Sequence, residues 1–287
     1  AQPRTTARHV APRPAMDLEG TLWDSPWKVP LAKCPVTLVL LTVTATSNGF
    51  LRWRKLTPLV FTASYARVIR DRGYWRIFSA CIMHDDMMRL LLCLLALWGL
   101  RDLEALMGSW EFLKNVLLLL LLTNAIYLGG IHAVRDSPLI ARRGLQQWHY
   151  MGLSGVLVGL VSIQVNDPYY NEESYVAIFS LFKVPVDFAC GVFAFIIQFI
   201  PLTPCFINVF CGLVGGYALT LGLFDWVTPY FTFCIIQWCI LLVLVSDGFP
   251  PQLETEEIVQ QRIAEEIFAV EARSRSGRDS LGADSSA

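Results

Sequence analysis

Long apolar runs, separated by short polar segments, dominate the chain from residue 35 to residue 249. A membrane-spanning helix needs about 20 mostly apolar residues. Seven segments reach or approach that length, and they lie at residues 35–51, 84–103, 112–134, 148–166, 182–202, 205–224 and 229–249. The pattern therefore predicts an all-α polytopic membrane protein. In the second segment, His84, Asp85, Asp86 and Arg89 occupy the first two predicted turns and must lie near the interface or face other helices.

The two ends of the chain differ from this apolar region. Residues 1–28 form a predicted polar tail, and we interpret residues 1–15, which do not begin with Met, as upstream read-through or a processed leader. In the C-terminal tail, 250–287, apolar residues recur at helical spacing between glutamates over 253–273. We favour a short amphipathic helix on the membrane or the loops, with a docking helix for a soluble partner as the alternative. Residues 29–249 are predicted to form one transmembrane domain.

Composition agrees with a membrane protein. Hydrophobic residues make up 54% of the 287 residues and charged residues 16%, whereas soluble proteins carry about 25% charged residues. The formal net charge of −1 gives no support for a nucleic-acid partner. The eight cysteines fall almost entirely within apolar runs and lack metal-ligand spacing. We therefore predict buried thiols, and neither a metal ion nor a cofactor.

A serine lies among glycines in the fourth apolar segment, where residues 152–155 read Gly-Leu-Ser-Gly. A polar group in lipid is unfavourable unless it is hydrogen-bonded, so Ser154 requires an explanation. One explanation is catalysis, with Ser154 as a nucleophile at a helix start and backbone N–H groups nearby. The other is close helix packing through Gly152, Gly155 and Gly159.

Two further clusters accompany this serine. Trp75 and Arg76 precede the second span, where the indole can lie at the membrane boundary and the guanidinium can bind phosphate or backbone carbonyls. Gly212 and Gly216 stand four residues apart in the sixth span and form a second small-residue face. These faces predict a tight pairing of the fourth and sixth spans.

Together the three clusters resemble the rhomboid superfamily. The run WRIFSACIMHDD is similar to the family's first loop and second span, GLSG to its serine motif, and FINVFCGLVGGY to its sixth span. The resemblance covers residues 30–225. It implies a rhomboid-like six-helix transmembrane core, to which the segment at 229–249 adds a seventh, C-terminal helix.

The departures from the family pattern decide what the resemblance implies about activity. Active rhomboids carry a histidine base three residues before the first glycine of the sixth-span motif, and Val209 stands there in this chain. The second-span His and Asn that assist the oxyanion correspond to Arg89 and Cys93. A serine without a positioned base is a poor nucleophile. His132 and His149, at the ends of predicted spans, are poorly placed to replace the base.

The resemblance therefore implies a rhomboid-like pseudoprotease, similar to the derlins, the inactive rhomboids and the ubiquitin-associated rhomboid-like proteins of the endoplasmic reticulum and Golgi. Such proteins bind transmembrane clients in the lipid membrane and pass them to ubiquitin ligase or extraction machinery. We expect a scaffold in endoplasmic-reticulum-associated degradation or trafficking, located in the endoplasmic reticulum. One alternative is an active intramembrane serine endopeptidase that uses Ser154. Another is an assembly subunit of a larger membrane complex.

Membrane orientation has two conflicting indications. The loop at residues 52–76 holds seven basic residues, namely Arg52, Arg54, Lys55, Arg67, Arg70, Arg72 and Arg76. By the positive-inside rule this loop lies in the cytosol. The rhomboid resemblance instead places it on the lumenal side, and we adopt that orientation because the loop can be embedded in the membrane rather than translocated as free chain.

Overall fold

The structure is a computed structural model that describes residues 30–84, 86–134, 149–166, 175–178, 182–199 and 206–247. The predicted tails at residues 1–28 and 250–287 lie outside the described residues, and so does Asp85. The predictions about the amphipathic segment at 253–273 and the origin of residues 1–15 therefore remain predictions.

The described part of the chain contains eight α-helices and four short strands. The helices are α1 (Pro35–Trp53), α2 (Arg76–Ile82), α3 (Met87–Met107), α4 (Ser109–Val134), α5 (Ser154–Asn166), α6 (Val186–Phe199), α7 (Phe206–Thr220) and α8 (Pro229–Leu244). The strands are β1 (Ala63–Ser64), β2 (His149–Tyr150), β3 (Tyr175–Ile178) and β4 (Phe182–Pro185). Seven helices match the seven predicted spans, and α2 belongs to the loop between the first two. The predicted helical fold is confirmed, with β1–β2 and β3–β4 as two small antiparallel additions.

Helices α5 and α6 begin at least four residues later than the apolar pattern predicts. The fourth span was expected from residue 148, but α5 begins at Ser154, because Gly152 has a φ of +100° and turns the chain out of β2. The fifth span was expected from residue 182, but residues 182–185 form β4. Pro185 explains the second difference, since a proline disfavours the helical conformation of the residue before it.

The charged start of the second span is also placed differently from the prediction. Helix α3 begins at Met87, so His84 and Asp86 precede it and Arg89 lies in its first turn. His84 and Arg89 are 2% and 6% exposed, respectively. Of the two predicted locations, these side chains therefore take the one that faces other parts of the protein.

Helix α5 occupies the centre of the fold. All of its residues from 154 to 163 are buried, and it packs against α3, α4, α6 and α7. Its 13 residues extend only about 20 Å, which is shorter than a hydrocarbon core of about 30 Å. The helix alone is therefore too short to cross such a core.

Judged by length and apolar composition alone, α4 is the one described helix that could cross a membrane. Helices α5 and α7 and the segment Phe231–Leu244 are apolar but shorter.

Polar contacts fix which helix ends share a side of the bundle. Strand β1, in the loop between α1 and α3, pairs with β2 just before α5. The N–H of Asp247, just after α8, donates to the Arg72 carbonyl at 3.1 Å. The α1–α3 loop, the start of α5 and the end of α8 therefore lie at the same end of the bundle.

Candidate functional site

Ser154 is the first residue of α5, which is where the catalytic explanation requires it. The turn before it is held by the Gly152 N–H, which donates to the Ala80 carbonyl at 2.7 Å. This bond connects the serine turn to α2. Ser154 itself is 6% exposed, so the serine lies inside the protein and its reactivity depends on its neighbours.

The side chain hydrogen-bonded to Ser154 is that of Asn208. The Asn208 Nδ2 donates to the Ser154 Oγ at 3.4 Å, and Asn208 is 3% exposed. A carboxamide is not a base at neutral pH, so this partner holds the hydroxyl without activating it. Val209, the position of the expected base, packs in the main hydrophobic cluster.

Sequence reasoning missed Asn208, although a signal was present. It is a polar residue inside the apolar run of α7, and polar residues within membrane spans usually face the protein interior. Adjacent residues point about 100° apart on a helix. The motif spacing alone therefore cannot decide which of Asn208 and Val209 faces Ser154.

The glycine faces of α5 and α7 bring the two backbones into contact. A Cβ atom added at Gly212 would lie 1.9 Å from the Gly155 carbonyl oxygen, and one added at Gly216 would lie 2.6 Å from the Gly159 carbonyl oxygen. A Cβ atom at Gly155 would lie 2.7 Å from the carbonyl oxygen of Asn208. The predicted tight pairing of the fourth and sixth spans is confirmed.

Ser154 shares a small cavity with the two residues expected at the oxyanion positions. The cavity has room for about one water molecule, and it is lined by His84, Arg89, Leu92, Cys93, Ser154, Leu157 and Ile197. Arg89 and Cys93 come from α3 and Ile197 from α6, so the cavity lies between these helices beside α5. The structure thus brings Ser154, Arg89 and Cys93 together.

His84 is a further polar residue at this cavity, which sequence reasoning did not place there. Its Nδ1 lies 3.2 Å from the Ile82 carbonyl oxygen. A carbonyl oxygen only accepts, so this contact fits a ring whose Nδ1 carries the proton, with Nε2 as the other ring nitrogen. This Nε2 lies 3.1 Å from the position of a Cβ atom added at Gly152, which places it against the serine turn.

Asn48 in α1 holds the backbone around this histidine. Its Oδ1 accepts from the His84 N–H at 2.8 Å, and its Nδ2 donates to the Ile82 carbonyl at 2.9 Å. Asn48 is 1% exposed. The position of His84 is therefore set by α1, which is far from it in sequence, and no local motif could have revealed this.

His132 and His149 were the two histidines considered as replacement bases for Ser154. His132 Nδ1 lies 2.6 Å from the Tyr65 hydroxyl, and the two rings are 6.0 Å apart between centroids. His149 lies in β2, where its backbone pairs with Ser64. The side chain of His149 is outside the described part of the structure.

Trp75 and Arg76 connect the loop to other elements. Trp75 is 3% exposed and packs edge-on to Phe61 at 5.9 Å, so its indole is buried in protein rather than at the lipid boundary. The Arg76 guanidinium stacks 4.6 Å from the Trp75 ring and donates to the Val60 carbonyl, as one predicted alternative required. Burial, with a smaller contribution from the nearby positive charge of Arg67, lowers the pKa of Arg76.

These features define a class: a helical membrane protein with a serine at the start of a short central helix, which packs through glycines against its partner. The sequence matches the Rhomboid domain family over residues 71–226, more than half of the chain, and the protein belongs to this membrane-embedded family. It is 24% identical over 156 residues to Rhomboid-like protein 15 of Arabidopsis thaliana. That match covers 54% of this chain and 38% of the relative's length. No solved structure matches the chain.

Proposed function

We propose that this protein is a rhomboid-like pseudoprotease that binds the transmembrane segments of client proteins without cutting them. The observation that carries the proposal is the amide of Asn208, which occupies the hydrogen-bonding position at Ser154. General-base assistance contributes about 10²–10⁴-fold to such reactions. An amide supplies none of it, and neither does the isopropyl group of Val209.

Client binding is supported by the shape and chemistry of the same region. The central helix is short for a bilayer, so the serine cavity at its start can lie close to membrane depth, where a client span would pass. Beside the cavity, the exposed face of α3 presents Met87, Met88 and Leu91, which are 55%, 48% and 52% exposed. A client helix that separated α3 from α6 would meet the polar side chains of His84 and Arg89 at the cavity between them.

The cellular role follows from this proposal. A client-binding rhomboid-like protein without proteolytic activity suits the delivery of membrane proteins to ubiquitin ligase or extraction machinery. We therefore propose a role in endoplasmic-reticulum-associated degradation or trafficking, with the endoplasmic reticulum as its location.

An intramembrane serine endopeptidase is the second candidate, and His84 is the observation that favours it. Its Nε2 lies against the serine turn, and its side chain lines the same cavity as Ser154. One water molecule in that cavity could relay a proton from the serine hydroxyl to the imidazole. In this candidate Arg89 and Cys93 would face the developing oxyanion.

Labelling with a fluorophosphonate probe separates the two candidates. We expect the purified full-length protein to show no labelling that disappears in Ser154→Ala, since the hydroxyl lacks a base. Ser162→Ala removes another buried serine of α5 and is the matched control. A co-reconstituted single-span protein with polar residues in its span is expected to co-purify uncut.

Two results would contradict parts of the proposal. Labelling that is lost in both Ser154→Ala and His84→Gln but kept in Ser162→Ala would establish the endopeptidase and reject the scaffold. Failure of the single-span protein to co-purify, with no labelling, would reject client binding while leaving the loss of activity standing.

A further inference from the structure

The end of α1 carries a compact set of exposed cations and aromatic rings. Arg52, Arg54 and Lys55 are all exposed, and Phe50 and Trp53 are 47% and 76% exposed. The guanidinium carbon of Arg54 lies 5.9 Å from the Phe50 centroid and 5.2 Å from the Trp53 centroid. We call these five residues the α1-end surface.

Lys55 adopts a backbone conformation that favours glycine. Its φ is +52°. It lies just after the end of α1, where the N–H of the next residue, Leu56, donates to the Leu51 carbonyl at 2.9 Å. Glycine is the usual residue at such a helix end, because a Cβ atom is disfavoured in the left-handed region. A lysine here therefore places a charge on the surface at the expense of local stability.

A second cation in the same loop shows the same feature. Arg72 has a φ of +51°, and it and Lys55 are the two non-glycine residues with positive φ in the described part of the chain. Arg72 is exposed as well. Two left-handed positions in one loop thus carry basic side chains, where glycine would be less strained. Such outliers point from geometry towards function.

The surroundings of the α1-end surface determine which partner it fits. Loop residues 52–76 contain seven basic residues and one acidic residue, Asp71, which lies 3.7 Å from Arg70. The surface continues along α1 into exposed apolar residues, including Val39 and Val43, which face lipid in a membrane-embedded helix. It therefore lies where hydrocarbon gives way to headgroups, and its aromatic rings are typical of that boundary.

We propose that the α1-end surface binds the headgroup of an anionic phospholipid. The guanidinium and ammonium groups of Arg52, Arg54 and Lys55 would pair with phosphate and other anionic groups of the headgroup. Phe50 and Trp53 would contact the upper part of the acyl chains. The other candidate occupant is the glutamate-rich segment 253–273 of this chain. The position of the surface at the headgroup boundary favours the lipid, and removal of residues 250–287 tests the segment.

Native mass spectrometry of the full-length protein tests this proposal. The protein is mixed with equal amounts of phosphatidylserine and phosphatidylcholine, and the lipids retained on it are counted. We expect a preference for phosphatidylserine that falls about fivefold for each basic residue removed, from the usual contribution of a cation near an anionic headgroup. Added salt should weaken the preference.

Two variants make the test specific. Lys55→Gly removes a charge and relieves the left-handed strain, so a reduced preference in this variant cannot result from unfolding. Lys33→Gln removes an exposed charge just before the opposite end of α1 and is expected to leave the preference unchanged.

Three results would overturn the proposal. The first is equal retention of the two lipids by the unaltered protein, and the second is an equal loss in Lys33→Gln and Lys55→Gly. The third is a preference that appears only after removal of residues 250–287, since the C-terminal segment would then be the occupant of the surface.

Discussion

Two pairs of helices in this protein are held together by different physics. Helices α5 and α7 touch through glycines, so that the Gly212 position lies against the Gly155 carbonyl. Helices α1 and α3 are joined by Glu104, whose two carboxylate oxygens accept from the Val36 N–H at 3.0 Å and the Thr37 N–H at 2.7 Å. Glu104 is 1% exposed, and its negative charge lies at the positive start of α1.

The difference shows two ways to join helices in a membrane, where apolar side chains gain little by leaving lipid for one another. The glycine contact depends on backbone proximity, so any added atom must separate the helices. The carboxylate contact depends on hydrogen bonds, so a similar side chain can keep part of it. The glycine contact should therefore be less tolerant of a conservative substitution than the carboxylate contact.

Gly212→Ala is expected to have the largest effect. Its Cβ would lie 1.9 Å from the Gly155 carbonyl oxygen, and backbone cannot move aside as a side chain can. We expect the free energy of unfolding to fall by about 3 kcal/mol, measured by unfolding the detergent-solubilised protein. Gly215→Ala in the same helix is the control, since its Cβ would meet side chains at an ordinary 3.5 Å. Equal destabilisation of the two variants would contradict the role of backbone contact.

Glu104→Gln is expected to have a smaller effect. Glutamine keeps one carbonyl acceptor for one of the two N–H groups but loses the charge, so we expect a loss of about 1–3 kcal/mol. Glu111→Gln provides the control, because Glu111 is a partly exposed partner of Lys114 and such pairs contribute about 0–1 kcal/mol. If Glu104→Gln proved as mild as Glu111→Gln, the carboxylate would not be what joins α1 to α3.

The sequence predicts the glycine contact far better than the carboxylate contact. The glycine contact can be recognised within each segment, because a spacing of four residues places small residues on one helix face. The residues concerned are Gly155 and Gly159 in α5, and Gly212 and Gly216 in α7. Glu104 gives no such sign, since a carboxylate just after a predicted span does not identify a helix start nearly 70 residues away. The order and approximate bounds of the seven spans were predictable for the same local reason, from apolar length alone.

The serine site was only half predictable. The positions of Ser154, Arg89 and Cys93 follow from motif order, and the structure brings them to one cavity. The rotation of α7, which turns Asn208 towards Ser154, depends on how the whole helix packs. The approach of His84 depends on Asn48 in another helix. Both the rotation of α7 and the position of His84 depend on tertiary packing, which cannot be predicted from the pattern of a single segment.

The segment just after α8 is joined to the α1–α3 loop by neutral hydrogen bonds. The Ser246 hydroxyl accepts from the Trp75 N–H and donates to the Arg72 carbonyl, both at 3.2 Å. The backbone bond from the Asp247 N–H to the same carbonyl remains when the hydroxyl is removed. A neutral link that is backed by a second bond should contribute less than a buried carboxylate.

Ser246→Ala is therefore expected to have the smallest effect of the three, a loss of about 1 kcal/mol in the free energy of unfolding. Because the bonds reach the loop rather than the helix bundle, the loop should also become more sensitive to added protease. Thr46→Ala removes an exposed hydroxyl whose hydrogen bonds go to the Thr42 and Val43 carbonyls of the same helix, and should change neither measurement. If Ser246→Ala lost as much free energy of unfolding as Glu104→Gln, the charge of Glu104 would not explain the greater strength of its contact. An unchanged protease sensitivity would mean that the Asp247 bond alone holds the loop to α8.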